Sequence, residues 1–293
     1  MSESSGLLAD FMGTFALEGT WDREPVDGRV LLNDDQLVLV GPDQKRILQL
    51  SRMVDVILER VPQEYSQYFN SSVVVAFASP GQEPPRTTTI EADGDAADRF
   101  GWLLFRTQLH GRTVLLNHPS RIGGRVASGG FEPATLYLGE ESVSFGDIKT
   151  PFRVPLESVV GFGRPERTVQ GAARQVLSIR HVQGGTSMTT EIDVRSKQRR
   201  NLMGRILRME YGKRRAEISD LDLSTTEKEL LVALHSGGGA ADLAVVLGIE
   251  PSQVSMLLNG LEDEGLVETN EDGVHLTSTG RTALEEHLED INQ

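Results

Sequence analysis

The side chains best suited to binding chemistry lie between residues 195 and 215, where nine Lys and Arg residues accompany a single acid, Glu210. An Arg guanidinium forms paired hydrogen bonds with a carboxylate or a phosphate, so such a segment can hold an acidic partner. That partner can be a separate protein or the acidic C-terminal part of this chain. A solvated helix face explains the same composition, and both interpretations stay open. The candidate partner-binding residues are Lys197, Arg200, Arg205, Arg208, Lys213, Arg214 and Arg215.

The sequence lacks the motifs that carry catalysis or hold a cofactor. It contains no Gly-x-x-x-x-Gly-Lys phosphate loop, no dinucleotide fingerprint between a strand and a helix, and no Gly-x-Ser-x-Gly elbow. Cysteine is absent, which excludes disulfides, thiolate metal sites and a Cys nucleophile. The histidines show no metal-ligand spacing, and we interpret them as isolated surface or turn residues: His110, His118, His181, His235, His275 and His287. We therefore predict a protein that is not an enzyme, with no cofactor and no metal site.

A helix over residues 196–211 must position the basic side chains. Steps of 100° per residue place Leu202, Met203, Ile206 and Leu207 on one face of that helix. The opposite face carries the polar and charged side chains Lys197, Asn201, Arg205 and Arg208. The apolar face predicts a buried contact, and the cationic face predicts an exposed one.

This helix ends the second copy of an internal repeat of about 100 residues. Residues 30–39 align with 136–145 at a shift of 106, and residues 74–77 and 87–91 align with 176–179 and 189–193 at a shift of 102. The carboxylate pairs Asp34-Asp35 and Glu140-Glu141 fall in equivalent turns of the two copies. Turn formation therefore explains them better than acid–base catalysis, and we extend that interpretation to Asp93 and Asp95.

Each copy has the pattern of several antiparallel strands followed by one helix, over residues 95–109 and 196–211. That order is the order of a pleckstrin-homology-like β-barrel closed by a C-terminal helix. The glycine-rich stretch 120–130 is expected to connect the two barrels. A lipid-headgroup site is disfavoured, because neither barrel shows a clustered basic loop.

The last part of the chain has the pattern of a winged helix-turn-helix. Ser224 and Glu227 form a capping box before a helix that ends near His235, a short helix covers residues 241–247, and a third helix starts at Pro251. Two short strands then flank residues 270–273, and a last helix starts near Thr279. The predicted fold class is α+β and multidomain: a first barrel domain at 1–117, a second at 118–219, and a winged-helix domain at 220–293.

Charge argues against DNA as the partner of this last domain. The chain has 29 Lys and Arg against 43 Asp and Glu, a net charge of −14. From residue 220 onward there are 16 acids and only two cations, Lys228 and Arg281. The outward side of the third helix carries no Lys or Arg, so almost nothing is available to contact phosphates. We interpret the domain as a protein-interaction module and predict no nucleic-acid partner.

The N-terminal residues are polar and acidic, and no apolar run reaches the ~18 residues of a membrane span. We expect a cytoplasmic protein with no integral membrane segment. Arginine greatly outnumbers lysine, since only five of the 29 cations are lysine. An acidic, lysine-poor composition is typical of proteins that work in high salt, and a high-GC genome is the alternative explanation.

The chain resembles the archaeal taxis protein CheF family, in a haloarchaeal form. The likeness lies in residues 9–15 (ADFMGTF), 117–124 (NHPSRIGG), 197–202 (KQRRNL) and 223–231 (LSTTEKELL), together with the order of the domains. The resemblance implies an adaptor that couples the phosphorylated response regulator CheY to the cytoplasmic motor and switch proteins of the archaellum. It implies no catalytic residues. Dimerisation is left open.

The alternative function is a winged-helix transcriptional regulator whose barrels act as sensors. A third interpretation is peripheral binding of a membrane through one barrel. These alternatives differ in partner class, so binding assays with proteins, DNA and liposomes separate them.

Overall fold

The computed structural model describes residues 6–17, 24–58, 60–79, 81–92, 94–219, 221–236, 240–270 and 273–291. Contacts divide the chain into two compact units. Unit 1 comprises Met1–Thr113, Thr135–Glu140 and Val194–Arg205, and unit 2 comprises Val114–Ala134, Glu141–Asp193 and Ile206–Gln293. Within the described ranges, no helix is both long and apolar enough to cross a membrane.

The first sheet has seven antiparallel strands, followed by helix α1 (Gly94–Leu109). Side chains of the strand Val26–Leu32 alternate between the core and the surface: Val30 and Leu32 are buried, Arg29 is exposed, and Leu31 between the two buried residues is half-buried. Helix α1 buries Phe100, Leu104 and Phe105. The spatial order of the strands is β4-β3-β2-β1-β7-β6-β5. Their bounds are β1 (Ala9–Leu17), β2 (Val26–Leu32), β3 (Gln36–Val40), β4 (Lys45–Gln49), β5 (Met53–Ile57), β6 (Ser72–Ser79) and β7 (Gln82–Glu91).

The second sheet has eight strands and is followed by helix α2 (Lys197–Ser219). Its strands are β8 (Arg112–Ile122), β9 (Arg125–Val126), β10 (Glu132–Leu138), β11 (Ser142–Gly146), β12 (Phe152–Pro155), β13 (Val159–Gly163), β16 (Leu177–Gln183) and β17 (Thr186–Asp193). The main order is β12-β11-β10-β8-β17-β16-β13, with β9 paired to β8. A separate hairpin, β14 (Glu166–Val169) and β15 (Ala172–Gln175), interrupts the segment between β13 and β16.

The two main orders are the same, as the internal repeat predicts. Strands β2 and β3 recur as β10 and β11 with a shift of 106 residues, and a β-bulge between Met53 and Asp55 recurs between Val159 and Gly161. The sequence alignment is wrong for β6, however. Met53 pairs with Phe77 and Val159 pairs with His181, so β6 and β16 are related by a shift of 104 rather than 102. His181 therefore occupies the core position of Phe77.

The glycine-rich stretch expected to connect the copies belongs to the second sheet instead. Arg121 and Ile122 are the last residues of β8 and pair with β17, and Gly123 and Gly124 turn the chain into β9. Both glycines have positive φ angles, 53° and 79°, which glycine adopts without the strain of a side chain. The predicted boundary at residues 117 and 118 falls inside β8.

The C-terminal region, residues 221–291, is helical with one small antiparallel hairpin, and the predicted helices and hairpin are confirmed. The predicted capping box at Ser224 and Glu227 is present. A core that includes Leu230, Leu261 and Leu284 also takes in Ile218 from the end of α2. The elements are α3 (Thr225–His235), α4 (Ala240–Leu247), α5 (Pro251–Asp263), β18 (Val267–Asn270), β19 (Gly273–Leu276) and α6 (Ser278–Ile291).

Helix α6 packs against the second sheet, within unit 2. Arg281 donates from Nη2 to the carbonyl oxygen of Gly185 at 2.7 Å, in the turn between β16 and β17. His275 of β19 lies beside the same glycine, since a Cβ placed there would come within 3.2 Å of the His275 Cβ. The C-terminal region is therefore tied to the sheet by α6 and by its hairpin.

Candidate functional site

Helix α2 positions all seven candidate partner-binding residues. Its apolar face is buried as predicted, with Leu202, Met203, Ile206 and Leu207 each at most 1% exposed. Burial of four large apolar side chains fixes the rotation of the helix and so decides which cations face outward.

Arg205 forms an ion pair inside unit 1. Its Nε donates to Oδ1 of Asp55 at 3.1 Å and its Nη2 donates to Oδ2 at 2.5 Å, so the pair is bidentate. Both side chains are less than one third exposed. Nearby, Gln198 donates from Nε2 to the carbonyl oxygen of Met53, on the same strand β5. The N-terminal part of α2 is thus held on β5 by a side-chain amide and a guanidinium.

Arg214 is 8% exposed and binds the backbone of the second sheet. Its Nη1 donates to the carbonyl oxygen of Val159 and its Nη2 donates to that of Leu156, both at 2.5 Å. Val159 is the repeat equivalent of Met53, so the same carbonyl receives a side chain of α2 in each copy. Arg214 therefore has a structural role in holding α2 on unit 2.

The other candidates differ in exposure. Lys197, Arg208, Lys213 and Arg215 are exposed, and Arg200 is half-buried. In unit 2, Arg208 and Arg215 are seven residues apart, which is two turns of helix, so they lie on one side of α2. In unit 1, burial and, to a smaller extent, the charge of Arg112 lower the pKa of Arg199. Whether any of the seven residues binds a partner stays a prediction.

The C-terminal region presents an acidic surface with exposed apolar side chains. On α5, Ser252, Gln253, Asn259, Glu262 and Asp263 are exposed as predicted, and the helix carries no Lys or Arg. The most exposed large apolar side chains there are Val245 and Val246 of α4 and Met256 of α5, all above 60% exposed. Helices α4 and α5 pack against each other. The predicted acidic wing tip, Glu271-Asp272, lies outside the described residues.

Sequence reasoning missed a pair of histidines in the core of the second sheet. His118 Nδ1 lies 2.8 Å and His181 Nε2 lies 3.1 Å from the hydroxyl oxygen of Thr190, which is fully buried. A hydroxyl has one proton to donate, so at least one of the two ring nitrogens must donate to its oxygen. The ring of His118 also stacks on Phe152, with centroids 3.6 Å apart.

Both rings are held neutral by their surroundings. Burial lowers the pKa of His118 to about 4, and burial together with the charge of His118 lowers the pKa of His181 to about 4. The expectation that all histidines are surface or turn residues is wrong for His181, which is 1% exposed. The signal was present in the alternation Leu177, Ile179, His181, which continues a buried face of β16.

Two of the three carboxylate pairs lie in turns, as predicted, whereas Asp95 of the third pair lies in helix α1. Asp34 and Asp35 occupy the turn between β2 and β3, where the Asn33 side chain accepts hydrogen bonds from the backbone N–H groups of Asp35 and Gln36. Glu140 and Glu141 occupy the equivalent turn between β10 and β11. Asp93 lies outside the described residues. Among the residues that are described, no three His, Asp or Glu side chains are grouped to hold a metal ion.

Comparison with known proteins places these features in a family. The family described as "Archaeal Chemotaxis signal transduction system protein F" matches residues 7–213. The full chain is 39% identical to the "Taxis protein CheF2" of Halobacterium salinarum (strain ATCC 29341 / DSM 671 / R1) over 293 residues, which is 100% of both chains. The chain belongs to the archaeal CheF family.

A second CheF protein of the same organism, "Taxis protein CheF1", is 26% identical over 275 residues, covering 92% of this chain and 91% of its own. The resemblance drawn from the residues is therefore confirmed. The CheF family match ends at residue 213, so it spans both sheets and most of α2 and stops before the C-terminal region. The match to CheF2 extends through that region as well. This CheF chain is thus a protein of archaeal chemotaxis signal transduction.

Proposed function

We propose that this CheF protein is a non-enzymatic adaptor that links the phosphorylated response regulator CheY to the motor and switch proteins of the archaellum and so controls swimming reversals. Membership of a chemotaxis signalling family along the whole chain is the observation that carries the proposal. Both partners act in the cytoplasm, and the proposal places the adaptor there too.

The architecture supports a binding role. Seven antiparallel strands in one repeated order, followed by a helix, are consistent with two pleckstrin-homology-like barrels, and the helices and hairpin of residues 221–291 are consistent with a winged helix. We retain the domain boundaries 1–117, 118–219 and 220–293 as part of this proposal. Such folds serve many functions, so the argument for an adaptor rests on the surfaces they carry.

Two surfaces of opposite charge suit two different partners. Arg208 and Arg215 on α2 can pair with carboxylates of an acidic partner. Helices α4 and α5 carry exposed apolar side chains, and Glu250, Glu262 and Asp263 at the ends of α5 are exposed acids, a composition that suits a partner with apolar and basic contacts. An adaptor must hold two proteins at once, and separate surfaces allow that.

A pull-down with purified CheY, in the presence and absence of a phosphate mimic, and with the archaellum switch proteins tests the proposal. We expect CheY to be retained more strongly with the mimic, and the switch proteins to be retained in both conditions. The Arg208→Glu variant should weaken the binding of one partner at moderate salt, and Arg153→Glu, on the exposed edge strand β12, is the matched control. Retention of neither partner would overturn the adaptor function.

The competing function is a transcriptional regulator, favoured by the exposed Ser252, Gln253 and Asn259 of α5, which could contact base edges. The charge of the region opposes it: of its two cations, Arg281 is bound to the Gly185 carbonyl, and Lys228 lies on α3 rather than α5. An electrophoretic shift with genomic fragments at moderate salt decides between them. A sequence-selective shift that weakens steeply with salt would favour the regulator.

A further inference from the structure

Strand β1 of the first sheet runs beyond one of the two strands that pair with it. On one edge it is paired with β2 from Ala9 to Phe15. On its other edge the pairing with β7 covers only residues 15–17 of β1. Strand β7 ends at Glu91, and the chain then continues into helix α1. Within the part of unit 1 that the structure describes, residues 9–14 of β1 are therefore paired on one edge only.

An unpaired strand edge presents main-chain donors and acceptors. Every second residue of an antiparallel strand directs its N–H and C=O groups to one neighbour, and the residues between them direct theirs to the other side. Over residues 9–14 one of these two sets faces β2, and the other set faces away from it. A strand of this length is about 20 Å long. The open edge is thus a template for one further strand of about six residues.

The open edge of β1 borders a pocket of about 790 Å³, a volume typical of ligand sites. All the residues that line the pocket belong to unit 1. Helix α1 forms the wall opposite β1. It does so with one face, because residues three, four and seven positions apart lie on the same side of a helix: Ala96, Arg99, Phe100 and Leu103.

The pocket contains an apolar surface. Phe11 of β1 meets Phe100 of α1 edge to face, with ring centroids 5.3 Å apart. Gly13 lies on the same face of β1 as Phe11, and a Cβ there would be 3.3 Å from the Phe11 ring. Half-buried Leu103 and exposed Ala96 add aliphatic surface. Because side chains alternate along a strand, a segment with apolar residues at every second position suits this surface.

An acid marks the place where β1 and β7 separate. Glu91, the last residue of β7, is exposed and lines the pocket. Asp10 also lines the pocket, but Arg29 binds its carboxylate through two hydrogen bonds of 2.6 Å. Arg99, on the α1 wall, already interacts within the chain. A basic residue near one end of the bound segment would complement Glu91.

The two outer edges of the same sheet differ from this one. Strand β4 begins with the exposed cations Lys45 and Arg46, and charged side chains on an edge strand oppose further pairing. Strand β5, at the other end of the sheet, contacts α2, whose Arg205 binds Asp55. The open part of β1 combines an unpaired edge with an apolar pocket.

We propose that this pocket binds an extended peptide segment of a partner protein, which adds to β1 as a strand. Apolar side chains at every second position of the segment contact Phe11, Phe100 and Leu103, and a basic residue lies beside Glu91. Main-chain hydrogen bonds to β1 supply affinity, and the pocket supplies the preference for apolar side chains. The inference goes beyond the adaptor proposal and does not rest on it, because the test requires neither CheY nor a switch protein.

Selection from a phage-displayed library of random heptapeptides tests the proposal. The library is first depleted on the Ala96→Glu variant and then selected on the wild type. Ala96 is exposed in the pocket, so the new carboxylate blocks the site without entering the core, and circular dichroism checks the fold. We expect the enriched peptides to alternate apolar and polar residues and to carry Lys or Arg near one end. Enrichment of no peptide would overturn the proposal.

Fluorescence anisotropy of the most enriched peptide, labelled with fluorescein, measures its affinity at constant KCl concentration. Ala96→Glu should weaken the binding at least tenfold. Ile47→Glu is the matched control, because it places the same acid at an exposed apolar residue of β4 outside the pocket, and it should leave the affinity unchanged. N-methylation of the peptide amides that face β1 should also weaken the binding at least tenfold, whereas methylation of the alternate set should not. Equal effects of the two sets would exclude strand addition.

Hydrogen–deuterium exchange locates the bound peptide on the protein. The peptide should slow the exchange of amides in residues 9–14 and leave that of strand β4 (Lys45–Gln49) unchanged. Protection of β4 without protection of β1 would contradict the proposed site. Sedimentation of the wild type over a range of concentrations tests a second copy as the occupant. Self-association that Ala96→Glu abolishes would assign the open edge to a second copy and overturn the peptide proposal.

Discussion

The buried histidine pair predicts a specific loss of stability in acid, and His181→Phe isolates it. Phenylalanine is the residue that the first copy has at the equivalent position, Phe77, and it is buried there. The substitution removes one titrating group and keeps an aromatic ring of similar size. Thr190 keeps its hydrogen bond to His118.

The magnitude follows from the change in pKa between the folded and unfolded chains. His181 has a pKa of about 4 in the folded protein and about 6.5 when exposed on unfolding. Between those values the unfolded chain binds more protons, so the contribution of neutral His181 to stability is complete above pH 6.5. It is lost as the pH falls through 4. The full loss is about 3 kcal/mol, and about 2 kcal/mol of it occurs between pH 7.5 and pH 5.

Urea unfolding at constant KCl, followed by circular dichroism, measures the free energy of unfolding of the wild type and of His181→Phe at pH 7.5 and pH 5. The many carboxylates titrate alike in both proteins, so only the difference between the wild type and His181→Phe is interpreted. We expect the free energy of unfolding of His181→Phe, relative to that of the wild type, to rise by about 2 kcal/mol from pH 7.5 to pH 5. The control variant is His235→Gln, which changes an exposed histidine at the end of α3. Its free energy of unfolding relative to the wild type should change by less than about 0.5 kcal/mol between the two pH values. Parallel pH dependences of the wild type and His181→Phe would refute the reasoning.

Three further experiments test contacts within the units. Arg214→Ala should lower the free energy of unfolding by about 2–3 kcal/mol because it removes two hydrogen bonds from a buried guanidinium to backbone carbonyls. Exposed Arg215→Ala should change it by less than about 0.5 kcal/mol in the same urea titration. Gly280→Ala should lower the melting temperature sharply, since its Cβ would lie 2.0 Å from the Leu266 carbonyl oxygen. Gly260→Ala in α5, where no atom lies within 4 Å of the added Cβ, should stabilise the protein by about 0.5–1 kcal/mol. Similar effects at both glycines would contradict the packing. A double-mutant cycle of Arg205→Ala and Asp55→Ala should give a coupling energy of about 1 kcal/mol, and additive effects would show that the ion pair contributes nothing to folding.

Local patterns were enough to predict the helices of the C-terminal region and the positions of most repeated strands. The capping box at Ser224 and the buried face of α2 depend on residues within a few turns of one another, and both are present. The register of β6 could not be predicted in this way. An error of two residues keeps every apolar side chain on the same face of a strand, so hydrophobic alternation does not distinguish a shift of 102 from one of 104.

The contacts that decide the roles of the candidate residues join distant parts of the sequence. Asp55 and Arg205 are 150 residues apart, and His118 and Thr190 are 72 apart. Helical periodicity showed that Arg205 lies outside the apolar face of α2, but it could not show that Arg205 pairs with Asp55 on β5. Composition alone likewise made Arg214 a surface candidate, although the carbonyls of Val159 and Leu156 bind it in the interior.

The two copies of the repeat use the same positions for different purposes, and the difference is chemical. The first copy has a β-bulge between Met53 and Asp55, and the second copy has one between Val159 and Gly161. The side chain that follows the bulge therefore has the same place on each sheet. In the first copy that side chain is Asp55, whose carboxylate binds Arg205 of α2. In the second copy it is Gly161, which leaves space for the exposed guanidinium of Arg180. The duplicated scaffold therefore carries an acid bound to α2 at this place in the first copy and an exposed arginine beside a glycine in the second.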